Sequence, residues 1–233
     1  TINAEMDKLI VGGFVDTETM AIYSNAAKEL PVHLFSTAIS SVVMPFVVKE
    51  ISEKKYDDAV ALWRKTIILS FYLMCFCASV LFTFAPQVIS IIYSEKYVSG
   101  TGVFRIYSLV LLFRATYYGM VLNALGKTKI ILRASVITMA TNLVLDVLLY
   151  KILGFVSPET ALLGPAIATF VSVAIMNAYQ LLLTKRLIHV KFTDIYPIKE
   201  TAKIMVLNIL LSVVFYATQQ FLFKTVDIDR NFI

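Results

Sequence analysis

The sequence has few of the residues that enzymes use for chemistry. Among its 233 residues there are only two histidines and two cysteines. His33 and His189 are far apart, and neither has a cysteine or a carboxylate at the spacing of a metal site. Cys75 and Cys77 lie two residues apart in an apolar helix, so their side chains diverge and cannot easily pair. Since no Ser/His/Asp set or paired-carboxylate motif is present either, we expect no metal, no cofactor and no enzyme activity.

Charge is also scarce in this sequence. Charged residues make up 16% of the chain, whereas a soluble domain averages about 25%. Hydrophobic residues make up 58%, and the mean hydropathy is +0.77. The net charge of +5 comes from basic residues spread among apolar runs, which favours cytoplasmic loops over a nucleic-acid site. The composition therefore predicts an all-α, polytopic membrane protein.

Long hydrophobic runs are what the sequence has in abundance. A span needs about 20 predominantly apolar residues, and the first apolar stretch is too short for one. We therefore interpret residues 1–233 as a single transmembrane domain of a fragment that begins partway through a helix. The predicted segments are a partial span at 1–14 and full spans at about 20–48, 66–85, 103–125, 130–153, 161–184 and 204–223.

Basic residues alternate along the connections between these spans. From the first connection to the last, the numbers of Lys and Arg are 0, 5, 1, 3, 1 and 5. Loops rich in Lys and Arg stay in the cytoplasm. We therefore expect the connections at 49–65, around 127–133 and at 185–203 to be cytoplasmic, and the chain to enter its first full span from outside.

The stretch LNALGKTK, residues 122–129, ends like a phosphate-binding loop. That loop requires G-x-x-x-x-G-K-[ST], because a run of backbone N–H groups must wrap the phosphates. The first glycine would stand at position 121, which is Val121, and an apolar run precedes it instead of a strand. Spacing and context both fail, so we interpret Gly126 and the following residues as a tight cytoplasmic turn that ends one helix.

Charged side chains inside the spans are the main candidates for function, because burying them in a bilayer is costly. At ~1.5 Å per residue, Asp7, Lys28, Arg114 and Asp146 lie about 6–16 Å below the outer ends of their helices. Two interpretations stay open, namely structural ion pairs between helices and a solvated substrate path. With neighbouring polar groups, the substrate-cavity candidates are Asp7, Lys8, Asn25, Lys28, Glu29, Arg114, Tyr117, Asn142 and Asp146.

Pro31 is the hinge candidate. Proline removes a backbone hydrogen bond and clashes with the preceding turn, so it kinks a helix. Pro31 follows Glu29 by two residues, and a kink beside buried charge is typical of moving segments in transporters. A static kink is the alternative.

Small residues recur every four positions in one later span. They are Gly164, Ala168 and Ser172. Such a ridge lets two helix backbones approach closely, so we interpret it as structural.

Two stretches resemble a known family. They are MDKLIVGGFVDTETMAIYSNAAKELPVHLFSTAISSVVMPFVVKE, residues 6–50, and FRIYSLVLLFRATYYGMVLNALGKTKIILRASVITMATNLVLDVLL, residues 104–149. The first resembles the start of the second half of the Wzx-type O-antigen and capsule flippases, and the second their later helices. These flippases belong to the MOP superfamily, with the MATE exporters and the lipid II flippase MurJ. Outside the two stretches the resemblance is one of hydropathy.

The resemblance implies a MATE/MOP-like bundle of two six-helix lobes around a central cavity that works by alternating access. This chain would be the C-terminal lobe plus an extra helix, and the N-terminal lobe would be its partner. The substrate would be an undecaprenyl-diphosphate-linked oligosaccharide moved across the bacterial inner membrane for lipopolysaccharide or capsule synthesis. Membrane lipids would surround the protein, and H⁺ or Na⁺ would be the coupling ion. Asp7, Lys8, Lys28 and Glu29 fall in the helices that carry cavity charges in the family.

Three other functions are open from the sequence. A MATE-like antiporter of cations or drugs would need a cavity dominated by carboxylates, whereas Lys and Arg balance the carboxylates here. A membrane-embedded glycosyltransferase or acyltransferase would need a catalytic Asp or His in an interfacial loop. A scaffold without transport would tolerate loss of the charges inside the spans.

Overall fold

The structure is a computed structural model that describes residues 2–28 and 30–230, with side chains from 7 to 28 and from 30 to 221. The described residues form helices and no strand, which confirms the all-α prediction. Two 3₁₀ helices, Glu95–Gly100 and Leu111–Arg114, interrupt the series of α-helices. The α-helices are α1 Ile2–Gly12, α2 Thr17–Ala26, α3 His33–Ser52, α4 Tyr56–Thr83, α5 Ala85–Ile92, α6 Thr101–Val110, α7 Met120–Ala124, α8 Thr128–Gly154, α9 Pro158–Ala161, α10 Leu163–Ile188, α11 Phe192–Ile195 and α12 Ile198–Arg230.

Five stretches in the described part of the chain are long and apolar enough to cross a membrane. They are α3, α4, α8, the continuous stretch of α9 and α10, and α12 to Phe221. Their length and composition are those of a multi-pass membrane protein. Where spans were predicted at 130–153 and 161–184, helices run over Thr128–Gly154 and Leu163–Ile188.

The prediction of one long helix over 20–48 is wrong. Helix α2 ends at Ala26, and α3 begins only at His33. Pro31 lies in the interruption, where it offers no N–H and disfavours helical geometry at the residue before it. Pro45, in contrast, is accommodated inside α3. The sequence therefore predicted a kink where the chain in fact leaves the helix.

The predicted span over 103–125 is also divided. Helix α6 ends at Val110, the second 3₁₀ helix follows, and α7 begins at Met120. Residues 115–119 between them are not helical. We call the 3₁₀ helix Leu111–Arg114 together with residues 115–119 the second interruption, and residues 27, 28 and 30–32 the first interruption.

Two helix ends follow local chemistry. Asp16 caps α2, with its carboxylate accepting from the N–H of Glu18 at 2.9 Å and of Thr19 at 3.0 Å. Gly126 has φ +69°, a left-handed conformation that glycine adopts without strain, and its N–H donates to the carbonyl of Asn123. The turn between α7 and α8 is therefore as tight as the sequence indicated.

The most extensive contact between two helices is that of α8 with α10. At Gly164, an added Cβ would come within 2.6 Å of the backbone N of Tyr150, so only glycine fits there. Ala168 and Ser172 are fully buried along the same helix. The small-residue ridge therefore brings the two backbones together and fixes the position of the side chains they carry.

Three apolar clusters surround the polar regions. One is centred on Trp63 between α3, α4, α7 and α10. A second contains Tyr23 and Tyr107 and joins α1, α2, α5 and α6. The third joins α4 to α12 through residues such as Met74 and Ile204. Burial of these side chains, rather than helix propensity, holds the elements in place.

Candidate functional site

One polar region is a sealed cluster around Asp7. This residue lies on α1, and its side chain is fully buried. Its Oδ2 accepts hydrogen bonds from the hydroxyl of Tyr107 on α6, at 2.6 Å, and from the hydroxyl of Thr169 on α10. Three helices therefore converge on one carboxyl group.

Helix α8 adds a second carboxyl group to the same cluster. Asn142 and Asp146 lie four residues apart and therefore share a helix face. The Asn142 Nδ2 donates to Asp146 Oδ1 at 2.9 Å, and Asp146 is fully buried. The carboxyl groups of Asp7 and Asp146 are close enough to influence each other electrostatically.

The cluster contains two buried oxygens with unmet hydrogen-bonding capacity. Asp7 Oδ1 and Asp146 Oδ2 accept no hydrogen bond from a donor group of the described residues. Two adjacent carboxylates in a site without water repel each other strongly, since the low dielectric does not screen them. A proton or a small cation shared between these oxygens would satisfy both. The amide and hydroxyl oxygens of Asn142, Thr169 and Tyr107 are further hard ligands nearby.

The second polar region is a groove of about 430 Å³ between α3, α8, α10 and the second interruption. Arg114 and Tyr117 line it from the interruption, and none of the lining residues that the structure describes is acidic. Hydroxyl and amide groups supply most of the remaining polar surface. They belong to Ser36, Thr37, Ser40, Ser41, Thr116, Tyr118, Asn123, Ser135, Asn177 and Gln180.

Side chains hold the backbone of the second interruption against this groove. The Ser36 hydroxyl donates to the carbonyl of Arg114 at 2.7 Å. The Asn177 amide donates to the carbonyl of Phe113, also at 2.7 Å. These carbonyl groups lie where the helix is broken, so the groove wall depends on α3 and α10 for its hydrogen bonds.

Other polar atoms at the groove are buried without a protein partner. His33 Nδ1, Ser40 Oγ and Thr116 Oγ1 have no hydrogen-bond partner in the part of the chain that the structure describes. A buried polar group without a hydrogen bond is costly, and an unsatisfied group in a cavity therefore points to water or a ligand. The groove is accordingly suited to a polar ligand rich in hydrogen-bonding groups.

The structure divides the predicted site residues among several places. Asp7, Asn142 and Asp146 meet in the sealed cluster, and Arg114 and Tyr117 line the groove. The Asn25 amide donates to the carbonyl of Ala21 in its own helix at 3.0 Å. Lys8 is half-buried beside Asp7 on α1, Lys28 is exposed, Pro31 lies in the first interruption, and Glu29 falls outside the described residues.

Sequence reasoning missed several residues that form the two regions. Tyr107 and Thr169 are neutral, so the cost of burying charge did not single them out. The polar face of α3 left a visible signal, because Ser36, Thr37 and Ser40 recur at helical spacing in an otherwise apolar run. Asn177 left no comparable pattern.

Comparison with known proteins gives one family match. A profile described as lipid II flippase MurJ matches residues 6–228 of the chain. That range includes every described residue of the sealed cluster and of the groove. It therefore covers nearly all of the fold.

A curated protein is also similar. The "Probable low-salt glycan biosynthesis flippase Agl15" of Haloferax volcanii is 24% identical over 190 residues, which cover 80% of this chain and 39% of that protein. The chain therefore spans about two fifths of the length of this relative. No solved structure matches the chain.

Proposed function

The chain belongs to the lipid II flippase MurJ family, and on that premise we propose that it forms one lobe of a transporter that flips a lipid-linked glycan across a membrane. The similarity to a glycan biosynthesis flippase supports the same class of substrate. On this proposal the protein is a transporter and not an enzyme.

The observation that carries the proposal is the chemistry of the groove. A glycan head group has many hydroxyls and a phosphate linkage, and moving it unaided through hydrocarbon costs many kcal/mol. The groove offers hydroxyl and amide groups, with Arg114 as a cation, and three buried polar atoms there have no hydrogen-bond partner among the described residues. Arginine matches the geometry of a phosphate through bidentate hydrogen bonds.

The same chemistry disfavours a MATE-like exporter of cations. Such a substrate needs carboxylates in the transport path, whereas the two fully buried acidic side chains of the described residues, Asp7 and Asp146, lie in the sealed cluster. The lining of the groove is neutral or basic among the residues described. A cationic drug would therefore meet Arg114 and no carboxylate among the described lining residues.

At finer detail, we propose that the substrate is an undecaprenyl-diphosphate-linked oligosaccharide. It would move from the inner to the outer leaflet of a bacterial inner membrane and supply a cell-surface polysaccharide such as O-antigen or capsule. Support comes from the Wzx-like stretches at 6–50 and 104–149. The missing partner would be an N-terminal lobe that closes the other side of the groove, and Pro31 would act as hinge.

We assign coupling to the sealed cluster. Asp7 and Asp146 hold two oxygens without a partner among the described residues that a proton or Na⁺ would satisfy, and one of the four helices that meet there, α6, leads directly into the second interruption. Binding of the cation would relieve the repulsion between the two carboxylates and draw α1 onto α8. Transport would then be driven by the gradient of that ion.

The test is reconstitution of the full-length protein in proteoliposomes with a fluorescent undecaprenyl-diphosphate oligosaccharide. A membrane-impermeant reagent that modifies the sugar reports how much substrate has crossed. We expect translocation without ATP, with a rate that falls when the H⁺ or Na⁺ gradient is collapsed. Proteoliposomes that move an organic cation but not the lipid-linked glycan would contradict the proposal and favour the antiporter.

A further inference from the structure

A second groove, which the proposed function does not use, runs between α4, α6 and α12. Its volume is about 590 Å³, and aliphatic side chains such as Leu109, Leu112 and Ile209 form most of its lining. Helices α4 and α12 are of span length and composition, so the groove lies at the level of the hydrocarbon of the bilayer. Its natural occupant is therefore a hydrocarbon chain.

A cation stands at one end of this groove. The Nε of Arg105 donates to the carbonyl of Phe82 in the last turn of α4 at 3.2 Å, and the guanidinium lies 5.5 Å from the centre of the Phe82 ring. These contacts hold the side chain at the rim. The other N–H groups of Arg105 have no partner among the described residues, and their planar fork fits a phosphate.

The depth of the groove matches one leaflet. Its lining on α12 extends from Met205 to Tyr216, which corresponds to about 16 Å of helix and thus to about half of a ~30 Å hydrocarbon core. Arg105 lies at the Tyr216 end, because α6 begins at Thr101 next to the connection at 94–100. The loop charges place that connection outside. The arginine therefore stands at the level of the outer head groups.

Polar groups inside the groove distinguish between two kinds of lipid. Asn208 and Ser212 lie one turn apart on α12, below the level of Tyr216. The Asn208 Nδ2 donates to the carbonyl of Ile204 at 2.9 Å, and its second N–H can donate to a ligand. Ser212 lies about 6 Å below Tyr216, a depth at which a glycerophospholipid has ester oxygens and a polyprenyl chain has none.

We infer that this groove binds an anionic glycerophospholipid of the outer leaflet, with its phosphate on Arg105 and one ester-linked acyl chain between α4, α6 and α12. The lipid satisfies the guanidinium and covers the apolar walls at the same time. The site is separate from the groove assigned to the glycan, so it does not depend on the proposed function.

The experiment uses the purified full-length protein, delipidated and then incubated with phosphatidylglycerol that carries a diazirine in one acyl chain. After irradiation, mass spectrometry locates the modified peptides. We expect them in α4, α6 and α12, with unlabelled phosphatidylglycerol competing about tenfold better than phosphatidylcholine. Arg105→Gln should lower labelling about tenfold, since it removes a charge-assisted bond. The matched control Arg133→Gln, at an exposed arginine of α8, should leave labelling unchanged.

A second variant keeps the test decisive if Arg105→Gln folds poorly. Leu109→Trp fills the groove and should prevent labelling there while the thermal unfolding temperature stays near that of wild type. Labelling confined to other helices would show that another segment covers the groove and would overturn the inference. Competition by undecaprenyl phosphate equal to that of phosphatidylglycerol would also overturn it, because the site would then belong to a prenyl chain.

Discussion

The sealed cluster around Asp7 and the groove lined by Arg114 are both polar regions within one apolar bundle. They differ in the sign of their charge and in their exposure. The cluster holds two fully buried carboxyl groups, Asp7 and Asp146, which accept hydrogen bonds from side chains of α6, α8 and α10. The groove holds Arg114 and neutral hydroxyl and amide groups around about 430 Å³ of open space. The fold therefore places Asp7 and Asp146 in a different region from Arg114, although their similar depth suggested them as partners.

The difference arises from the helices that build each region. Asp146 and Thr169 project from α8 and α10, which are continuous and pack closely at Gly164. The groove, in contrast, forms where the chain leaves the helix at 111–119. A broken helix in a membrane is tolerated where other groups satisfy its backbone, as Ser36 and Asn177 do here. On the proposed function, continuous helices thus carry much of the ion site, and an interrupted one forms part of the substrate surface.

The largest expected effect is at the cluster. Asp146→Asn keeps the shape of the side chain but removes its charge, so ion-coupled transport by the full-length protein should fall to background. Abundance should stay near normal, because the substitution adds no buried charge and the new amide can donate to Asp7 Oδ1. Transport assays and quantitative blots measure both, with Thr218→Ala, at an exposed hydroxyl bonded within α12, as the control. Normal, ion-dependent transport in both Asp146→Asn and Asp7→Asn would show that the cluster has only a structural role.

The next effect is at the groove. Arg114→Ala should lower transport about 10- to 100-fold, the value of a charge-assisted hydrogen bond to phosphate. Arg114→Lys should keep part of the activity, since it keeps the charge but loses the bidentate geometry. The ion dependence of the residual transport should be unchanged. A loss of ion dependence in Arg114→Ala would contradict this, because it would show that the cluster and the groove act as one site.

A smaller effect separates two serines of the same helix. Ser36→Ala removes a hydrogen bond to the carbonyl of Arg114 and should destabilise the fold by about 1 kcal/mol. The Ser40 hydroxyl has no partner among described residues, so Ser40→Ala should leave stability unchanged and weaken glycan binding about 2- to 10-fold. Thermal unfolding and a binding titration distinguish them. If Ser40→Ala lowered stability and left glycan binding unchanged, the unsatisfied hydroxyl would not face the substrate.

The smallest effect comes from an exposed carboxyl group that serves as a reference for the buried pair. Hydrogen bonds from the Thr19 backbone and side chain and from the Glu18 N–H hold the pKa of Asp16 below its ordinary value. A carboxyl group whose pKa is lowered in the folded state stabilises the fold at pH values above its ordinary pKa. This stabilisation is lost as the pH falls through the folded-state pKa. Asp16→Ala should therefore lower the unfolding temperature slightly at pH 7, with the difference shrinking in acid. A difference that grows in acid would reverse the sign of this contribution.

The sequence predicted the fold class well, because the bilayer alone requires long apolar helices, and these are visible in the composition and in the apolar runs. It misjudged the region around Pro31, where a proline in an apolar run predicts a kink. Whether the helix bends or breaks depends on partners for the freed backbone, and these come from distant residues. Residues 115–119 gave no warning, since Thr116 and Tyr117 are compatible with a helix.

The candidate site was predictable in part for the same reason. Charged residues in spans stand out, so Asp7, Asp146 and Arg114 were found, and the spacing of Asn142 and Asp146 placed both on one face. Their partners depend on which helices pack together, and close packing at Gly164 decides that. Thr169 became part of the cluster only through this packing, which no local pattern reveals.

The most direct test of the account uses an undecaprenyl-diphosphate oligosaccharide with a photoreactive group on its sugar, bound to the full-length protein. We expect cross-links in α3, α10 and residues 111–119, which unlabelled substrate displaces and Arg114→Ala weakens. Displaceable cross-links that avoid all three segments, or that require Asp7 and Asp146 instead of Arg114, would contradict the assignment of the groove to the glycan.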